Sequence, residues 1–204
     1  MQIALQNAGK RFNRDWIFRH MDIIFIPGQS YAITGPNGAG KSTLLQLIGG
    51  SLQPSEGKVS FIEENNNAID AAMAYTKIAI AAPYMELIEE MTAKEQLEFH
   101  IHFKKLTHHT KEILSEVGLY HAAEKQIRYF SSGMKQRLKL ALAFFSNEPV
   151  ILLDEPLTNL DKAGIDLYHH FIEKNSNKTI IISSNDAQEY SFCNHILNIN
   201  SFKN

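Results

Sequence analysis

Apolar positions fall into short runs bounded by turn residues, and these runs alternate with stretches of helical spacing. Residues 2–6 and 22–26 read as strands, the second (Asp22-Ile23-Ile24-Phe25-Ile26) stopped by Pro27-Gly28. Tyr31-Ala32-Ile33-Thr34 reads as a third. Beyond Ser42, the positions Leu44, Leu45, Leu47 and Ile48 are spaced for the buried face of a helix that ends at Gly49-Gly50. Pro54-Ser55-Glu56-Gly57 then turns into a strand, Val59-Ser60-Phe61-Ile62. Glu63 to Asp70 is polar, with three asparagines, and reads as a solvent loop. Lys77 to Ala82 is another apolar strand, stopped by Pro83.

From Tyr84 to about Phe145 the pattern turns helical. Thr92-Ala93-Lys94-Glu95 is a capping box, with Thr92 as N-cap and Glu95 at N3. The helix it opens is expected to carry Leu97, Ile101 and Phe103 toward a core. Ile113, Leu114 and Val117 mark a second helix, closed by Gly118. A third starts near Ser132 and runs through Leu138, Leu140, Ala141, Leu142 and Phe144. This block interrupts an α/β alternation that then resumes. Val150-Ile151-Leu152-Leu153 and Thr179-Ile180-Ile181-Ile182-Ser183 are continuous apolar runs, as in strands covered on both faces. A helix from about Asp161 to Lys174 lies between them. A short helix from Asp186 to Cys193 and a last strand, Ile196 to Ile199, follow. Strands alternating with helices predict a mostly parallel sheet, with ligand at the strands' carboxyl ends.

Bulk properties narrow the partners. The 204 residues suit one domain. A formal charge of −2 gives no reason to expect nucleic acid or an anionic membrane surface. Cys193 is the one cysteine, which excludes an intrachain disulfide and fits a reducing compartment. The first residues, Met1-Gln2-Ile3-Ala4, lack the basic-then-apolar pattern of a signal peptide. No apolar run approaches the ~18–20 residues that span a bilayer, so any membrane process would be served through a partner. The nine histidines are scattered. The pairs His108-His109 and His169-His170 cannot share a helix face, so all nine read as surface residues and no metal site is expected from them.

The chemistry centres on Gly35-Pro36-Asn37-Gly38-Ala39-Gly40-Lys41-Ser42-Thr43, which fits G-x-x-x-x-G-K-[ST] between a strand and a helix. A glycine-rich turn there lets backbone N–H groups wrap an anion, and the helix N-terminus adds a positive dipole end. Lys41 can reach the β- and γ-phosphates of a nucleotide, and the Ser42 hydroxyl can ligate Mg²⁺. Asp154 ends a buried strand, where it can hold Mg²⁺ beside Ser42. Glu155 follows directly and can polarise an attacking water as general base. Ser131-Ser132-Gly133-Met134-Lys135-Gln136-Arg137 places small residues at a helix N-terminus, a second anion-type site. Phe12 and Trp16 are both candidates to stack on a base.

With these motifs in this order, nearly the whole chain resembles the ATP-binding subunits of ABC transporters. Phe130-Ser131-Ser132-Gly133-Met134 sits where that family carries its signature, usually L-S-G-G-Q, and Leu157-Thr158-Asn159-Leu160-Asp161 looks like its D-loop. Spacing ahead of the phosphate loop matches Phe12, rather than Trp16, to the family's adenine-stacking aromatic. Within the family, the short length and the S-S-G-M-K-Q-R-L form look most like haem-exporter and ABC-2 type ATPases. The resemblance implies an α/β P-loop fold over residues 1–204: a mostly parallel sheet, a small antiparallel β subdomain, and a helical subdomain inserted at about 84–145. It implies ATP and Mg²⁺ as cofactors and a head-to-tail homodimer in which Ser132 and Gly133 face the partner's nucleotide. It also implies an integral membrane permease as partner, and a cytoplasmic place on the inner face of the cell membrane. Two positions depart from the family pattern. No glutamine stands at Pro83 or Tyr84, where the Q-loop residue belongs, and Asn185 stands where a switch histidine belongs. Glu86 and Asn185 are the candidates to replace them. Alternatives from other classes are a nucleotide-gated module that hydrolyses little or nothing, and a soluble ABC ATPase unconnected with transport.

Overall fold

A computed structural model describes every residue except Glu64, Asn66 and Asn204. In chain order the first elements are β1 (Gln2–Phe12), β2 (Asp15–Phe25), β3 (Ser30–Thr34), α1 (Lys41–Ile48), β4 (Glu56–Ile62), β5 (Ala68–Ile69) and β6 (Ile78–Ala81). Then come α2 (Ala93–Ile101), α3 (Thr110–Glu116), α4 (Ser132–Phe144), β7 (Val150–Asp154) and α5 (Lys162–Lys174). The chain ends with β8 (Thr179–Ser183), α6 (Ala187–Tyr190) and β9 (His195–Asn198). No helix among the described residues is long and apolar enough to cross a membrane. The chain divides into two compact units, one of Met1–Ile78, Pro149–Asp154 and Ser176–Asn204, the other of Ala79–Glu148 and Glu155–Asn175.

The first unit holds an antiparallel sheet, in order β2-β1-β4-β5, and the parallel strands β7-β8-β3-β9. The first two strands are twice as long as the apolar runs suggest, because the hairpin continues through the charged stretch to a turn at Asn13-Arg14. Register shifts along β1 break the two-residue period, and Asn7 and His20 take left-handed backbone with φ of 47° and 52°. Their polar groups are satisfied locally. Asn7 N–H donates to Asp22 Oδ1 at 2.8 Å, and His20 Nδ1 lies 2.8 Å from Asn7 Oδ1. The asparagine-rich stretch contains the short strand β5, whose Ile69 pairs with Phe61. Glu64 and Asn66, within that expected loop, lie outside the described residues. Every residue of β7 and β8 is buried, as their unbroken apolar runs predict. Each such aliphatic side chain contributes about 1.5–3 kcal/mol by leaving water.

In the second unit α2, α3, α4 and α5 enclose Leu97, Ile113, Leu114, Leu138, Phe144, Tyr168 and Phe171. The α2 capping box is made on both sides: Glu95 N–H donates to Thr92 Oγ1 at 3.2 Å, and Thr92 N–H to Glu95 Oε2 at 2.8 Å. Ile101 and Phe103 do not join the core, with 45% and 70% of their surface exposed. Phe103 lies past the end of the helix at Ile101, so helical spacing no longer relates it to Leu97, and Ile101 is exposed in the helix's last turn. The histidines are not uniformly superficial either. His100 is half-buried, with Nε2 3.1 Å from Ser146 Oγ. Phe144 and Phe145 on and beside α4 pack against Phe171 of α5, at 5.4 and 5.3 Å between ring centroids, which groups α5 with the inserted helices.

Candidate functional site: a phosphate loop and a second anion-type helix end

In the first unit β3 delivers the chain into Gly35, and α1 begins at Lys41. Gly40 has φ of 102°, and a Cβ there would fall 2.1 Å from Ile17 Cγ2, so only glycine fits. It caps α1 without any side-chain hydrogen bond, which leaves the N–H groups of the first turn for another partner. Lys41 is buried at 5% exposure, and its Nζ donates to Gly35 O at 2.8 Å and Pro36 O at 3.3 Å. The loop's cation therefore rests on the loop's own neutral carbonyls. Ser42 and Thr43 follow, half-buried, in the first turn.

Register puts Asp154 in the same row as the strand end that leads into this loop, two strands away. Asp154 of β7 pairs with Ser183 of β8, which pairs with Ile33 of β3, two residues before Gly35. Across two strand spacings that row spans about 10 Å. Asp154 is 3% exposed, and the buried Ser183 Oγ beside it has no hydrogen-bond partner among the described residues. A hydroxyl and a carboxylate are hard oxygen donors of the kind Mg²⁺ takes when phosphates and waters complete its shell, so Ser42 and Asp154 fit that ion. Among the described residues, no cluster of three or more His, Cys, Asp or Glu is arranged to hold a metal. Asn185, just past β8, reaches the same loop: its Nδ2 donates to Asn37 Oδ1 at 2.8 Å.

The two candidate stacking aromatics separate clearly. Trp16 lies between guanidinium groups, with Arg19 at 4.2 Å and Arg11 at 5.4 Å from its ring. Phe12 ends β1 with 48% of its surface exposed and Lys10 Nζ 5.3 Å from its ring. Ile17, on the same hairpin, is the side chain that approaches Gly40.

The second unit begins its later segment at Glu155, which is half-buried with φ of 45°. A β-carbon in left-handed backbone costs about 1–2 kcal/mol. Ser131 caps α4 by accepting from Met134 N–H at 3.2 Å, and Ser132 is exposed in the first turn. Gly133 passes so near the following segment that a Cβ would meet Asn159 O at 2.9 Å. A cavity of about 360 Å³ opens here, lined among others by Ser132, Gly133, Arg137, Asn159 and Asp161. Arg137 donates to Asp161 Oδ1 at 2.5 Å, and Asp161 in turn caps α5 through Gly164 N–H at 2.9 Å. The guanidinium and that N–H hold the Asp161 carboxyl below its ordinary pKa. Gln136 Nε2 donates to Pro156 O at 2.8 Å, which ties α4 to the residues just after Glu155. At the position without a glutamine, Pro83, Tyr84 and Glu86 are exposed, and Lys139 Nζ donates to Ala82 O and Pro83 O.

The loop, Asp154 and Asn185 thus share one unit, while Glu155, Ser132 and Gly133 share the other. Sequence reasoning passed over Arg137 and the Asn37–Asn185 pair.

A family model described as ABC transporter matches residues 18–158. The chain is 29% identical to the uncharacterized ABC transporter ATP-binding protein YybJ of Bacillus subtilis (strain 168), across 97% of this chain and 92% of that protein. It is also 29% identical to the lantibiotic transport ATP-binding protein SrtF of Streptococcus pyogenes, across 92% of this chain and 81% of that one. Among solved structures it superposes, with a TM-score of 0.83 and 25% identity, on the ATP-binding cassette MJ0796, a dimer in a post-hydrolysis state bound to ADP and Pi. That match covers 97% of this chain and 94% of the other.

Proposed function

The chain belongs to the ABC transporter family, and on that premise we propose that it binds and hydrolyses ATP to power a separate membrane permease. The observation that carries this reading is the loop Gly35–Lys41, where the first turn of α1 has no side-chain cap and the buried Lys41 amine rests on the loop carbonyls Gly35 O and Pro36 O, within the same turn. In this reading the backbone N–H groups of residues 35–43 and the Lys41 amine hold the β- and γ-phosphates, and Phe12 stacks on the base. Ser42 and Asp154 would hold Mg²⁺, which would supply positive charge to offset that of the phosphates. Asn185 donates to the terminal phosphate. Glu155 takes a proton from water as the water oxygen bonds to the γ-phosphorus and the bond to ADP breaks.

Ser132 and Gly133 serve the nucleotide of a second copy in a head-to-tail homodimer, with the permease holding the pair at the cytoplasmic face of the membrane. The dimeric MJ0796 cassette and the transporter names of the relatives support this. All 204 residues act as one ATPase, with the helices about 84–145 as its inserted part. Asparagine at position 185 favours a second reading, a nucleotide-gated module with little or no hydrolysis. Turnover of Mg-ATP by the purified chain, alone and with its co-purifying membrane protein, separates the two. A kcat in the ordinary range of about 1–10³ s⁻¹ with that partner supports the ATPase. Binding without turnover in either setting supports the gated module, and failure to bind ATP removes both.

A further inference from the structure

Asn185 sits on a turn whose backbone is fixed on both sides. Ser184 N–H donates to Ile33 O at 3.1 Å, and Ser184 Oγ accepts from Asp186 N–H at 2.8 Å. Asp186 Oδ1 then accepts from Gln188 N–H at 2.9 Å, at the start of α6. Asn37 is held as firmly. The preceding carbonyl, Pro36 O, accepts from Ala39 N–H at 3.0 Å and from Lys41 Nζ at 3.3 Å. One side-chain bond joins these two turns across 148 residues of sequence, from Asn185 Nδ2 to Asn37 Oδ1.

Both side chains are exposed, so this bond competes with water and adds little to folding. Its larger effect is on orientation. An asparagine amide turns about a broad, roughly two-fold torsion, and half a turn exchanges its donor for its acceptor. With Oδ1 toward the loop, Asn185 would repel an anion. With Nδ2 toward the loop it attracts one. Asn37 Oδ1 accepts one Nδ2 hydrogen and leaves the other available, so the Asn185 amide stands in the attractive orientation. Asn185 has no charge to act at a distance, so whatever selectivity it has depends on that orientation.

We propose that Asn37 is a positioning residue for Asn185: by holding the donor side of that amide toward the loop, it makes the site favour a nucleoside triphosphate over a diphosphate. The proposal rests on the nucleotide reading above, in which Asn185 serves the terminal phosphate. In that reading Lys41 serves the β-phosphate as well as the γ-phosphate, so its loss weakens binding of both nucleotides.

The test measures affinities of the full chain for Mg²⁺ with the non-hydrolysable triphosphate AMP-PNP and for Mg²⁺ with ADP. It compares wild type, Asn37→Ala, Asn185→Ala, the double variant and Lys41→Ala. Asn37→Ala is expected to lower triphosphate affinity about tenfold, one hydrogen bond's worth, and to leave ADP affinity within about twofold. Asn185→Ala should match it, and the double variant should lose no more than either, because both act through one donor. Equal loss of both nucleotides in Asn37→Ala, no loss of triphosphate, or additive losses in the double variant overturn the proposal. Lys41→Ala should lose both nucleotides. If it binds them as wild type does, the nucleotide reading itself falls, and this proposal with it.

Discussion

The Lys41 amine lies 2.8 Å from the carbonyl oxygen of Gly35, six residues back along the same loop. The phosphate loop is therefore closed on its own backbone, by a buried lysine whose acceptors among the described residues are neutral carbonyls. A phosphate oxygen is a stronger partner than either carbonyl, since it adds its own negative charge to a bond whose donor is already charged. Lys41→Ala should lower ATP affinity by about ten- to a hundred-fold, the loss of one charged hydrogen bond at ~1.5–3 kcal/mol. Titration with a fluorescent ATP analogue measures this, and unchanged affinity would refute the phosphate-site assignment.

Glu155→Gln should leave ATP binding intact and stop its hydrolysis. Glutamine keeps the shape of the side chain and accepts the same left-handed backbone, but cannot take up a proton. Removing a general base costs about 10²–10⁴ in rate. ATP-bound dimer should then accumulate and elute early on gel filtration with Mg-ATP. Turnover at the wild-type rate would show that another group is the base.

Ser132→Arg should prevent ATP-dependent dimerisation while the monomer's ATP affinity stays within about twofold. Ser132 is exposed at the α4 N-terminus, in a unit separate from the chain's own phosphate loop. Sedimentation with Mg-ATP reads the dimer, and calorimetry at low protein concentration reads the monomer. A collapse of monomer affinity would sink the head-to-tail arrangement.

His100 should make the chain less stable as pH falls below neutrality. Burial, aided by Lys104, pushes its pKa down to about 4 in the folded chain. In the unfolded chain it titrates near ~6.5. Between these values the unfolded state binds more protons, so stability falls as pH drops from about 6.5 toward 4. His100→Gln should flatten that dependence and keep a donor toward Ser146. Urea midpoints at pH 7.5 and pH 5 check it: equal pH shifts in both proteins would mean that His100 is not the group responsible.

Local signals in the sequence were read correctly wherever the cause was local. The glycine-rich loop, the Thr92–Glu95 box and the buried runs of β7 and β8 each reflect chemistry within a few residues, and the structure places each as expected. The β1–β2 hairpin was read short because Asn7 and His20 break the alternation, and because the stretch from Lys10 to Trp16 is charged. Phe103 departs from the expectation because periodicity does not mark where a helix stops, and Ile101 because the last turn of α2 is exposed. Nothing local could reveal the Asn37–Asn185 bond or the Arg137–Asp161 pair, since in each case two distant segments supply one partner apiece.

The left-handed backbone at Glu155 has a consequence for anyone who evolves this chain for heat resistance. Glycine adopts that conformation without penalty, so Glu155→Gly would relax about 1 kcal/mol of strain in a single step. Against this, glycine enlarges the freedom of the unfolded chain, and the balance still favours replacement where φ is positive. A screen that rewards only a higher melting temperature will therefore be drawn to this position. Its winners would be sturdier proteins that hold ATP and do nothing with it, so such a screen must select for turnover at the same time.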